Sequence, residues 1–309
     1  MFHYTITEWL FFFYFYCFFG WVFESTYVSV KSRKPINRGF MRGPFLPLYG
    51  TGAIMMLVVS MPFQDNVVLT YLAGCVGATL LELVTGMAME ALFKVRYWDY
   101  SKKKFNYKGH ICLSSTIAWG FLTILMTELV HQEVANVVFA LPHQVITVIT
   151  VLITIEIVAD FALSFKAALD LRDVLVGLEK AKMEMERIQK RLDVLIAFAG
   201  DELAVRKQEG ESKAEELILS LEERFQRIKE RLAAEPGAIE MKVREELMEL
   251  RSRYMVEKEH RQQFSGIRDF YQRNMIKGNP DMYSVRFTEA LEELKRAVNE
   301  HKKNEKGID

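Results

Sequence analysis

Five acidic residues stand where the chain is otherwise close to hydrocarbon: Glu24, Glu82, Glu90, Glu156 and Asp160. An ionisable side chain inside a bilayer costs at least ~2.5 kcal/mol on insertion scales, so such groups face a protein interior and have a task there. Their spacing groups them. Glu82 and Glu90 are two i+4 steps apart with Gly86 between them, and Gly74 and Ala78 continue the row; Glu156 and Asp160 form one i,i+4 pair. Small residues in such a row let another helix approach closely. Three uses compete. Arg38 and Arg42 could fold back and neutralise some of the acids. The acids could instead line a route for a cation or proton, protonated because desolvation raises a buried carboxyl. Or one of them could act as general acid or base on a lipid headgroup.

The elements that position these acids follow from a split in composition. The 309 residues carry 40 basic and 40 acidic side chains, but only 11 basic and 10 acidic ones lie in 1–165. An oily half, 1–165, is joined to a highly charged half, and the balanced total names no nucleic-acid partner. Spanning a bilayer takes about 20 mostly apolar residues. Five candidates appear: Glu8–Val30, Pro44–Phe63, Val67–Phe93, Ile111–Val130 and Pro142–Phe165. The first lacks a basic n-region and a small-residue cleavage site, so it reads as a retained span. Trp9, Trp98 and Tyr100 fall near span ends, as interfacial aromatics do.

Loop charge sets the direction. The loop after the first span carries Lys31, Arg33, Lys34, Arg38 and Arg42, and the loop after the third carries Lys94, Arg96, Lys102, Lys103, Lys104 and Lys108. "MPFQDN" and "HQEVANVVFALP", between the other spans, have no Lys or Arg. The positive-inside rule then places the N-terminus outside and the charged half in the cytoplasm. Counted back from the cytoplasmic ends at 1.5 Å per residue, Glu24, Glu90 and Asp160 lie roughly 5–10 Å deep, and Glu82 and Glu156 roughly 14–17 Å.

The stretch "PINRGFMRGPFLPLYGTG", 35–52, concentrates proline and glycine at the entry to the second span. Pro44 suits a first helical turn, because its missing N–H would be unpaired there in any case. Pro47, Gly50 and Gly52 following it predict an irregular start, which is tolerated at depth only under protein or beside a watery cavity. Arg38 and Arg42 would then sit at the mouth of the cavity lined by the acids, as a cytoplasmic gate or a headgroup clamp.

The charged half reads as helix almost throughout. Leu171, Leu178, Met185 and Leu192 recur every seven residues, as do Val174, Ala181, Ile188 and Leu195, giving a coiled-coil seam continuous with the fifth span. Further helices are expected at 212–234, 238–276 and 284–304, broken by "EPG" (235–237) and "GNPD" (278–281). The stripes Leu217, Leu221, Ile228, Leu232 and Phe287, Leu291, Leu294, Val298 suit either a bundle within one chain or a homodimer through 171–199. Domains are therefore expected at 1–165 (spans), 166–208 (the continuing heptad helix) and 209–309 (charged helical tail). Cys17, Cys75 and Cys112 are isolated and no CxxC occurs, so neither a zinc site nor a disulfide framework is indicated. No GxxxxGK[ST] and no GxGxxG after a strand is present, so no nucleotide cofactor is expected and ATP energy would come from another chain.

At this point the chain resembles the bacterial membrane proteins labelled putative ABC-transporter permease, type IV (CmpB-like). The likeness rests on Gly20-Trp21-x-x-Glu24, Asn37-Arg38-Gly39-Phe40, Gly43-Pro44-x-x-Pro47-x-Tyr49-Gly50 and Glu82-x-x-x-Gly86-x-x-x-Glu90. Trp98-Asp99-Tyr100-Ser101, Asn106-x-x-Gly109-x-Ile111-Cys112-Leu113 and Trp119-Gly120 extend it. It implies an all-α, multi-pass protein of the bacterial cytoplasmic membrane with a permease-type role. It carries over no substrate and no catalytic residue. The first expectation is therefore a transporter subunit for an unspecified solute, not an enzyme, partnered by lipids and by a separate ATPase subunit where one is used. A lipid-headgroup binder or membrane-embedded enzyme with a cytoplasm-facing acidic pocket, and a membrane-anchored coiled-coil scaffold or sensor, are the alternatives.

Overall fold

The computed structural model describes residues 4–198, 214–234, 241–265 and 269–306. They are helical almost throughout, and the chain divides into two compact units, Met1–Arg172 with Arg268–Arg286, and Asp173–Ile267 with Phe287–Asp309.

In the first unit, α1 (Ile6–Ser32) is started by a capping box between Thr5 and Glu8 and stopped by Arg33 in the left-handed region, φ 52°. Helix α2 covers Pro47–Ser60 and runs into a 3-10 turn, Met61–Phe63. Pro47, not Pro44, takes the first helical position; 33–46 is irregular, a longer stretch than the expected broken first turn. Asn66 caps α3 (Val67–Phe93) through two backbone N–H groups. Two short antiparallel strands, β1 (Asn106–Tyr107) and β2 (Ile111–Cys112), close the loop before α4 (Leu113–Leu125). A π-helical turn, Met126–Val130, joins α4 to α5 (His131–Phe139), so "HQEVANVVF", expected as a connecting loop, is helix.

Among the described residues, four helices have the length and composition to cross a membrane: Ile6–Ser32, Val67–Phe93, Leu113–Phe139 and the one containing His143–Leu195. The remaining candidate, Pro47–Phe63, is shorter. Glycines bring α1 and α2 together: a Cβ on Gly20 would fall 2.3 Å from Tyr49 Cβ, and one on Gly50 would fall 2.4 Å from Cys17 Sγ. The bundle core has an aromatic layer around Phe12, Tyr16, Leu57, Val138 and Ile146, and a second layer around Tyr14, Cys17, Met41, Phe45 and Ile157.

Helix α6 (His143–Phe198) belongs to both units. In the second unit its residues Met185, Ile188, Leu192 and Leu195 pack against α7 (Ala214–Ala234) and α8 (Met241–Ser265) through Leu217, Leu221, Leu247, Leu250 and Tyr254. The seam is thus covered from within the chain over those residues. Leu175, fully buried, takes the position expected for Val174. The expected helix 238–276 is two, α8 and α9 (Phe270–Gly278), and the last, α10, runs Thr288–Lys306. The "EPG" break and the end of the 166–208 segment lie outside the described residues, as does the Leu232 side chain.

Candidate functional site

The end of the first unit that carries the two basic loops gathers most of the acids, each held in its own way. Glu24, on α1, accepts from Tyr49 Oη at 2.5 Å and lies 3.4 Å from Arg38 Nε. Arg38 also donates from Nη2 to Tyr97 O at 3.3 Å, and its buried Nη1 has no hydrogen-bond partner among the described residues. Glu90, near the end of α3, is 2.9 Å from Arg96 Nε and 3.1 Å from His110 Nε2, while Arg96 Nη1 lies 3.7 Å from Asp99. Asp160, on α6, accepts the Gly43 N–H at 2.8 Å and so ties the irregular loop to the bundle.

Glu82 differs from the others. It is 6 % exposed, and its carboxylate accepts from Tyr100 Oη at 3.0 Å, Ser115 Oγ at 3.2 Å and Trp119 Nε1 at 3.0 Å. Three neutral donors surround it, and among the described residues no Lys or Arg pairs with it. One turn further along α3, a Cβ on Gly86 would already meet His110 and Trp98 at 3.0 and 3.2 Å. The loop 94–112 therefore folds back over the last two turns of α3, and Glu82 lies level with the first turn of α4.

Two residues of the expected cavity lie elsewhere. Arg42 is exposed and stacks its guanidinium on Phe270, 4.4 Å from the ring centre, with Tyr271 at 5.8 Å. Glu156 is on the exposed face of α6 among Leu152, Ile155 and Leu163. The Arg42 stacking exposes what the sequence reading missed: residues 269–286, expected as ordinary charged tail, dock on both basic loops. Asn279, 1 % exposed, donates to Gly39 O at 2.7 Å; Gly39 has φ 133°, a conformation reserved for glycine. Tyr283 pairs with Arg96 in a two-way backbone bridge, N–H to O at 2.6 and 2.9 Å, and Ser284 Oγ donates to Lys94 O at 2.6 Å. Tyr97 Oη reaches Met275 Sδ at 3.2 Å, and Met282 is fully buried.

The remaining loop residues are internal fasteners. Asn37 accepts from Trp21 Nε1 and donates to Arg42 O, both at 2.6 Å. Trp98 donates to His110 O at 2.9 Å, and Asp99 accepts from the backbone and hydroxyl of Ser101 at 3.0 and 2.5 Å. At the opposite end, His131 is fully buried between two phenols, Tyr4 Oη to Nε2 at 3.0 Å and Tyr16 Oη to Nδ1 at 2.8 Å. No spacing rule singled it out, because its partners are 127 and 115 residues away.

Burial and the neighbouring charges of Glu82 and Glu24 push the Tyr100 phenol up, so it acts here as a firm hydrogen-bond donor and not as a base. Burial, then the charge of Arg96, pulls His110 below the usual histidine range against the opposite pull of Glu90 and Asp99. The ring is neutral at neutral pH and lies beside Glu90 as an uncharged group.

A family described as "Putative ABC-transporter type IV" matches residues 11–165. That is half of the chain, and it includes Glu24, Glu82, Glu90 and Asp160 with their loops. The chain belongs to this family. It is an ABC-transporter-related membrane protein by that membership and by its apolar helices. The docked segment 269–286 lies outside the matched residues. No curated protein and no solved structure matches the chain at a significant level.

Proposed function

We propose that this protein is the membrane-spanning subunit of a transporter-type system, with its basic-loop end in the cytoplasm and closed there by residues 269–286. The reading takes five spans, the N-terminus outside and the charged region inside a bacterial cytoplasmic membrane. It includes Pro47–Phe63 as a short span, since about 17 residues is the lower limit for crossing. Lacking a nucleotide-binding motif, the chain would draw energy from a separate ATPase subunit. Pairing of two copies through 171–199 would use only the faces that α7 and α8 leave open.

The observation that carries the reading is the clasp of Asn279, Tyr283 and Ser284 on Gly39, Arg96 and Lys94. It ties the loop before α2 and the loop after α3 to one distant segment, so releasing that segment frees both at once. Glu24, Glu90 and Asp160 support the same view. They are engaged by loop groups, which suits anchors of a closed gate better than an open acidic channel. Two substitutions, Arg42→Cys and Phe270→Cys, joined by a short bis-maleimide, would hold the clasp shut. Purification of the full chain from its native membrane in mild detergent should recover an ATP-hydrolysing partner. Cross-linking should depress that ATPase several-fold. Recovery of this chain with no ATPase, or full activity with the clasp cross-linked, would overturn the proposal.

A further inference from the structure

On the outer face of α4 runs a groove of about 620 Å³, and its composition changes along its length. Ala118, Leu122 and Leu125 line the apolar stretch, and Tyr100, Ser115 and Trp119 close one end. From Ser115 to Leu125 the helix rises roughly 15 Å, half of the ~30 Å hydrocarbon thickness of a bilayer. The groove therefore has the length of one leaflet, apolar toward the bilayer centre and polar where α4 begins.

The polar end has an unusual hydrogen-bonding balance. Tyr100 and Trp119 send their donors inward to the buried carboxylate of Glu82, and Ser115 turns its one hydrogen inward between that carboxylate and Cys112 O, 2.9 Å away. A phenol, a hydroxyl and an indole have one such hydrogen each, and the carboxylate has none. What is left to face a ligand is the second lone pair of the Tyr100 oxygen, the ring faces of Tyr100 and Trp119, and the negative charge behind them. None of these can donate. All of them attract a hydrogen-bond-donating cation, because an ammonium group is drawn both to lone pairs and to aromatic faces.

We infer that this groove is a binding site for an amine-headed lipid of the adjoining leaflet, chain along Ala118, Leu122 and Leu125 and ammonium at Tyr100 and Trp119. An alcohol head would use the Tyr100 lone pair but gain nothing from the rings or from Glu82. An anionic head would meet the Glu82 charge with no donor to answer it. The inference goes beyond the transport reading and does not depend on it, since the groove shares no residue with the clasp of 269–286.

The test is native mass spectrometry of the full chain in detergent, with two phospholipids of identical chains. One carries an aminoethyl head and the other a glycerol head, supplied at equal concentration. A cation–π contact worth about 1 kcal/mol corresponds to roughly fivefold preference, so the amine-headed lipid should be retained about five times more often. Tyr100→Leu with Trp119→Leu and Glu82→Gln, which removes both rings and the charge, should bring the ratio close to one. Ala118→Phe, at an exposed position that disturbs no core, should remove one bound lipid of either kind. Equal retention of the two lipids by the native chain would overturn the inference, and so would preference for the glycerol head, which the lysines of 102–104 acting alone would give. Unchanged retention by Ala118→Phe would overturn it too, and that variant keeps the test decisive if Glu82→Gln fails to fold.

Discussion

Glu90 in the first unit and Glu223 in the second each have an arginine within 4.0 Å, yet the two pairs are different objects. Arg96 and Glu90 are 12 % and 28 % exposed and 2.9 Å apart, and the same carboxylate is within reach of a buried histidine. Arg227 and Glu223 are 78 % and 72 % exposed, one helical turn apart on α7. The first unit has few charges, and those turned into the bundle, Glu24, Arg38, Glu90, Arg96 and Asp160, each meet a named partner. The second has many, and most face solvent, where another lysine or arginine would serve as well. A desolvated pair is costly to break because the survivor stays buried and uncompensated, whereas an exposed pair returns to water.

The largest effect should therefore come from the first unit. Arg96→Met leaves Glu90 with only the neutral ring of His110 and also loses the contact to Asp99. A loss of about 3 kcal/mol is expected, at the low end for buried pairs with one partner removed. In detergent this should appear as a drop in apparent melting temperature on the order of 10 °C. Adding Glu90→Gln should restore part of the loss, since the uncompensated charge goes with it. If Arg96→Met melts with the native protein, the contrast between the units has no energetic content.

A smaller effect is expected from pH. His110 binds a proton less readily when folded than when unfolded, because burial and then Arg96 oppose the charge. The stability held by the neutral ring is full above the unfolded value, about 6.5, and is lost as pH falls below it toward the folded value. Melting temperature should decline on acidification from about pH 7.5 to about pH 5.5, and His110→Asn should flatten that part of the decline. In Arg96→Met the limb should shrink, its acid end rising toward the unfolded value, since one of the charges holding His110 down is gone. An identical pH profile for the native protein and His110→Asn would remove His110 from the account.

How much of this was legible in the sequence depends on the distance over which each interaction acts. The row Gly74, Ala78, Glu82, Gly86 is a local pattern, and all four residues are buried on α3. Basic loops and apolar blocks are local too, and they delimit most of the helices. Glu156 was not legible, because α6 is apolar nearly all round in that region. Leu152, Ile155 and Val158 are as exposed as any surface residue, so periodicity cannot say which side meets protein. The clasp was less legible still. "GNPD" signals only a break, and nothing in it announces that Asn279 bonds a carbonyl 240 residues earlier. Tyr100 and Trp119 stood in the motifs that carried the family resemblance, but their common partner Glu82 appears only when α3, α4 and the loop between them are packed.

The smallest expected effect tests whether burial, and not membership of one unit, makes the difference. Arg227→Ala removes an i,i+4 pair at a separation of 4.0 Å on an exposed helix face. Such pairs contribute a few tenths of a kcal/mol and less as salt rises, so the melting temperature should stay within about 1 °C of native. Arg261, in the same unit, is 7 % exposed and bonded to Glu293 at 20 %, so Arg261→Ala should behave like the Arg96 variant in spite of its address. If Arg227→Ala and Arg261→Ala cost the same, solvent screening is not what separates the pairs. The rule that carries over to Glu24, Glu90 and Asp160 would then have to be sought in the loops they hold, and not in their burial.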